Sequence, residues 1–68
     1  MTKDEAIRAM LDGEKVTHRY FMAHEWVTIL DPIRNTYLFE DGVTIDAQIF
    51  WRNRRTDDWL IDWDIFEE

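Results

Sequence analysis

Residues 2–22 read TKDEAIRAMLDGEKVTHRYFM, and within this stretch the apolar period changes once, from that of a helix to that of a strand. The first half predicts a helix. Thr2, with Glu5 three places on, forms a capping box that satisfies two orphan amide donors, and Asp4 and Glu5 suit the positive end of the helix dipole. Ala6, Ile7, Met10 and Leu11 fall on one stripe, while Lys3, Arg8, Asp12 and Glu14 point elsewhere. Gly13 is the natural stop, because the left-handed residue after a last turn is easiest for glycine. From Lys15 the period changes to two, and Val16 to Met22, rich in β-branched and aromatic residues, predicts a strand.

Working outward, Trp26 to Leu30 reads as the antiparallel partner of that strand, across a loop carrying Ala23, His24 and Glu25. Asp31-Pro32 ends the pairing, since proline lacks the amide donor, and Arg34-Asn35-Thr36 completes a polar turn. Tyr37 to Glu40 predicts a third strand closed by Asp41-Gly42. Ile45, Ile49 and Phe50 recur at helical spacing, so a short helix capped by Thr44 or Asp46 is expected to run to Arg52. Trp59 to Phe66 alternates again, with Trp59, Ile61, Trp63 and Ile65 on one face and Leu60, Asp62, Asp64 and Phe66 on the other. The expected fold is α+β: one domain over residues 1–68, an N-terminal helix packed on a three- or four-stranded antiparallel sheet, and a short second helix before the last strand.

Composition narrows the chemistry. A chain of 68 residues holds one domain, it has no apolar run near the ~20 residues of a membrane span, and its acidic start does not read as a signal peptide. A cytoplasmic protein is therefore expected. The chain has neither cysteine nor serine, so the usual nucleophiles and thiolate metal sites are excluded, and two isolated glycines make no phosphate loop. With 8 basic against 15 acidic side chains the net charge is -7, which argues against direct binding of a nucleic-acid backbone. The acids are concentrated at the end: Asp57, Asp58, Asp62, Asp64, Glu67 and Glu68 follow Arg52, Arg54 and Arg55 with no further base. Because a core this small is thin, four tryptophans and four phenylalanines point to self-association, with a ligand pocket expected between copies.

Candidate site residues follow from charge and aromaticity. His18 and His24 lack metal-ligand spacing and read as one strand and one loop histidine. The pairs Asp57-Asp58 and Asp62-Asp64 read first as a solvated face, since acid–base work needs a cleft that perturbs one partner. An anionic ligand finds guanidinium groups and stacking surfaces in Arg19, Trp51, Arg52 and Arg54, the preferred ligand-binding set. No catalytic residue, metal or cofactor is expected.

The capped helix ending in Gly13, followed by Lys15-Val16, and at the far end Trp51, then Asp57 and the pair Asp62-Trp63, together resemble a phage and prophage family. That family includes Thoeris anti-defense proteins, which sequester a cyclic ADP-ribose-type signal, and a type II-A anti-CRISPR. The resemblance covers the two ends of the chain. In the middle His18 stands where the family has arginine, Phe21 replaces its usual tryptophan and Tyr20 the glycine before it. The resemblance implies a helix on an antiparallel sheet, oligomeric assembly, a bacterial host cytoplasm and a counter-defence role without catalysis. Two functions stand side by side: sequestration of a cyclic nucleotide immune signal, or inhibition of a host defence nuclease by an acidic, DNA-mimicking surface formed by Asp57, Asp58, Asp62 and Asp64.

Overall fold

The computed structural model describes residues 1–67. Helix α1 (Lys3–Leu11) starts as the capping box demands: the Glu5 amide donates to the Thr2 hydroxyl at 3.2 Å, and the Thr2 amide donates to the Glu5 carboxylate at 2.8 Å. Gly13 ends it at φ +91°, in the left-handed region. Ala6 and Met10 form the buried centre of its stripe, with Ile7 and Ala9 half-buried beside them. Leu11 departs from the expected stripe and is exposed.

Five antiparallel strands follow: β1 (Val16–His18), β2 (Val27–Asp31), β3 (Thr36–Phe39), β4 (Thr44–Asp46) and, after the short helix α2 (Ala47–Arg52) and a single 3-10 turn over Asp57–Trp59, β5 (Trp63–Ile65). Their order across the sheet is β4-β3-β2-β1-β5, so β1 to β4 form a meander and α2 carries the chain back to pair β5 with β1. The α+β architecture, with a short second helix before the last strand, is the one expected. The strand count corrects the expectation of three or four. β4 has only one inward residue, Ile45, between exposed Thr44 and Asp46, too short a run for alternation to register.

Two other expected strands are shorter in the structure. Pairing of β1 stops at His18, because the Phe21 amide turns back to donate to the His18 carbonyl at 2.9 Å. The alternating run from Trp59 becomes a strand only at Trp63: Trp59 closes the 3-10 turn, Leu60 and Ile61 are exposed, and Asp62 sits at φ +67°, which no strand accommodates. Asp46, one of the two expected caps, accepts from the Gln48 amide at 2.8 Å and starts α2. At the β2–β3 turn the Asp31 carboxylate accepts from the amides of Ile33 and Arg34, and Asn35 takes the left-handed position at φ 56°.

Both helices cover one face of the sheet. Ala6 and Met10 of α1 and Ala47 and Phe50 of α2 join Val16, Val27, Tyr37 and Trp63 in a single core cluster. His18 lies among them at 4% exposure, the one buried polar residue among the described residues. No helix among the described residues is long and apolar enough to cross a membrane.

Candidate functional site

The segment from Asp57 to Trp63 is irregular, and each of its carbonyls nevertheless accepts a hydrogen bond. Its carbonyls accept in turn from the Leu60 amide (Asp57), His18 Nε2 (Asp58), the Trp63 indole (Trp59), the Lys3 amide (Leu60), His18 Nε2 again (Ile61), the Arg19 amide (Asp62) and the residue 1 amino group (Trp63). Five of these seven hydrogen bonds come from residues 1–19, at the other end of the chain. The side chains of Asp57, Asp58, Leu60, Ile61 and Asp62 are exposed.

His18 organises this turn. Its Nε2 lies 3.0 Å from the Asp58 carbonyl and 2.9 Å from that of Ile61, while Nδ1 accepts from the Tyr20 amide at 3.1 Å. Since both partners of Nε2 are acceptors and the partner of Nδ1 is a donor, the proton is assigned to Nε2. The imidazole stacks on Trp59 at 4.2 Å between ring centroids and meets the edge of Trp63 at 4.7 Å. Reading His18 as an ordinary strand histidine missed this duty. Its place two residues after Val16, on the same inward face of β1, is the signal that could have revealed it.

Arg54, one of the expected anion-binding residues, belongs to the same stack. Its guanidinium lies 4.0 Å over Phe50 and 5.1 Å from the centroid of Trp59, and Nη1 donates to the Phe50 carbonyl at 3.0 Å. Its Nε is buried without a hydrogen-bond partner among the described residues. Burial pushes the Arg54 pKa below the ordinary guanidinium value, with the Glu25 carboxylate opposing the shift. The planar fork therefore stitches α2 to the 3-10 turn.

The other three members of that set have different surroundings. Trp51 donates its indole N–H to the Tyr37 hydroxyl at 2.9 Å and carries the Lys3 ammonium 4.5 Å above its ring. Arg19 is exposed, faces the Tyr20 ring and reaches the Asp62 carboxylate at 3.5 Å. Arg52 is exposed at the end of α2. No pocket is formed among the described residues.

The acidic set divides. Asp57, Asp58 and Asp62 ride on the pinned turn, whereas Asp64 lies on β5 opposite Thr17, on the sheet face that the helices leave uncovered. Glu67 is exposed, and Glu68 lies outside the described residues. The Asp58 carboxylate, facing the Tyr20 hydroxyl, is first among the causes that raise the phenol pKa above its ordinary value. His24 is exposed on its loop, and among the described residues no three of His, Cys, Asp and Glu gather as metal ligands would. No protein-family model, curated protein or solved structure matches the chain.

Proposed function

We propose that the protein is a non-catalytic counter-defence binding protein of phage or prophage origin, working in the bacterial host as an assembly of its own chain, whose acidic turn docks on the basic nucleic-acid groove of a host defence protein. The observation that carries this reading is that every carbonyl of residues 57–63 is held by a hydrogen-bond donor. Acids on a floppy tail lose conformational freedom when they bind; Asp57, Asp58 and Asp62 are held on a turn that is ordered beforehand. A net charge of -7 adds long-range attraction to a basic partner and repels nucleic acid itself. Asp64, facing away, takes no part in this docking.

The test uses purified defence nucleases loaded with their guides or cofactors, and measures binding and inhibition of DNA cleavage. Affinity should fall steeply with salt, DNA should compete, and the triple variant Asp57→Asn, Asp58→Asn, Asp62→Asn should lose binding while keeping its fold. Binding that ignores both salt and the triple variant overturns the reading.

A second reading, sequestration of a cyclic nucleotide signal, is favoured by the half-buried Trp51 ring with Lys3 above it and exposed Arg52 next in sequence. Arg54 contributes there only by giving up its place on Phe50 and Trp59, and the enclosing walls must come from a second copy. Thermal shifts across a panel of cyclic nucleotides and ADP-ribose isomers test it. A shift that survives Trp51→Leu and Arg52→Ala counts against this location.

A further inference from the structure

The sheet has a second face. Because α1 and α2 lie on one side, residues that alternate with the core positions are left without a covering layer: Lys15 and Thr17 beside β5, Trp26, Thr28 and Leu30 along β2, Thr36 and Leu38 on β3, and Phe66 beyond β5. Trp26, Leu38 and Phe66 are half-buried without packing on the core, and Leu30 is exposed. Trp26 lies 6.5 Å from Phe66 between ring centroids, with the Lys15 ammonium 4.4 Å over its own ring. Sheet faces that meet only water usually read as polar, and this one carries two aromatic rings and two leucines.

We infer that this face is where two copies of the chain meet, sheet on sheet. The inference rests on the self-assembly in the proposal above and names its surface. Three observations select a second copy as the occupant. The first is charge. A copy carrying -7 is repelled by most of this surface, but the centre of this face, Trp26, Thr28, Leu30 and Leu38, holds no acid. Four acids lie at its margins, Asp31, Glu40, Asp46 and Asp64; Asp46 caps α2, Asp31 holds its turn and Asp64 accepts from the Ile65 amide.

The second is symmetry. β2 is the middle strand of five, and a two-fold axis along it sets β1 of one copy over β3 of the other. The register puts Lys15, Thr28 and Leu38 in one row across the sheet, so this docking lays Lys15 over the partner copy's Leu38 and beside Glu40.

The third is area. A standard interface takes about 800 Å² from each partner, about a sixth of this chain's 4731 Å². The two broadest extents of the chain, 27 × 26 Å, outline a side of that order. The core of the single chain, eight buried apolar residues, also leaves a domain of this size in need of further burial.

Sedimentation equilibrium of the full chain tests the inference. The wild type should be dimeric at micromolar concentration, and Leu38→Lys should weaken association by about 30-fold or more, as expected when a charge enters the dry centre of an interface. Leu60→Lys, on the exposed acidic turn, should leave the dimer intact. Far-UV circular dichroism checks that the Leu38 variant folds; if it does not, Leu30→Lys, at a side chain already 53% exposed, takes its place. A monomeric wild type overturns the assembly as well as the face. A dimer that persists in the folded Leu38 or Leu30 variant overturns the face alone and leaves the assembly standing.

Discussion

Helix α1 and the turn before β5 solve the same problem, how to satisfy backbone groups that regular structure leaves over, in opposite ways. The helix start does it locally: Thr2 and Glu5 answer each other's amides across three residues. The turn does it at a distance, through His18, Arg19 and Lys3, which lie about 40 or more residues away in the chain. A local solution survives when the rest of the fold loosens, and a distant one forms only with it. Regions of the second kind couple a surface to the whole core, which is what a preorganised docking turn requires.

The largest test of this contrast removes the distant partner. His18→Leu strips the Asp58 and Ile61 carbonyls and the Tyr20 amide of their partner and removes the stacking surface under Trp59. The expected loss is about 3 kcal/mol, most of what a domain this small possesses, read as a shift in the urea midpoint. Hydrogen exchange should quicken first at Leu60, whose amide closes the 3-10 turn. If instead the turn keeps its protection in the variant, the acids are ordered by local geometry and the contrast between the two regions fails.

Arg54→Met sharpens the same comparison from the other side of the stack. Methionine keeps much of the apolar stem over Phe50 and Trp59 but loses the guanidinium and its bond to the Phe50 carbonyl. A loss of about 1 kcal/mol is expected, measured in the same urea titration. Because Arg54 meets the turn only through the Trp59 ring, the effect should be clearly smaller than that of His18. Equal losses would mean that the stack, rather than the histidine hydrogen bonds, pins the turn.

What could be read from the chain divides along the same line. The capping box, the Gly13 stop and the apolar stripe around Ala6 and Met10 are local rules, and they emerge in α1 as expected. The start of α2 at Asp46 is equally local. Trp59 to Trp63 misleads because alternation there is genuine in sequence while the backbone answers to His18, a partner no local pattern reveals. Arg54 misleads for a related reason: an arginine in a basic cluster looks free until the fold lays it on two rings. That the acids face outward was legible from their number; that three ride on one turn while Asp64 faces the other way depends on β5 beginning only at Trp63.

On the local side, Thr2→Ala removes one half of the capping box and should cost about 1 kcal/mol, as N-cap losses do. The loss should be confined to the helix start. Exchange should rise at the Glu5 and Ala6 amides while Leu60 of the acidic turn keeps its protection, apart from the common decrease in global stability. A variant that frees the turn as much as the helix would show that Lys3, whose amide donates to the Leu60 carbonyl, transmits the cap to the far segment.

The smallest effect expected is the pH dependence of that cap. The Glu5 carboxyl is held below its ordinary value of 4.5, chiefly by the Thr2 amide, then by the Thr2 hydroxyl. A carboxylate with a depressed folded value contributes stability that is fully present above its unfolded value and is lost as pH falls through the folded one. Glu5 should therefore be silent at neutral pH and contribute to the acid limb below pH 4.5. Comparing wild type with Glu5→Gln from neutral pH downward isolates this contribution: the glutamine variant should show a shallower acid limb, because its cap no longer depends on an ionised group. If the two limbs superimpose while the carboxylates of the acidic turn are replaced without effect, acid sensitivity originates in neither region, and the division between a locally and a distantly satisfied backbone would not extend to electrostatics.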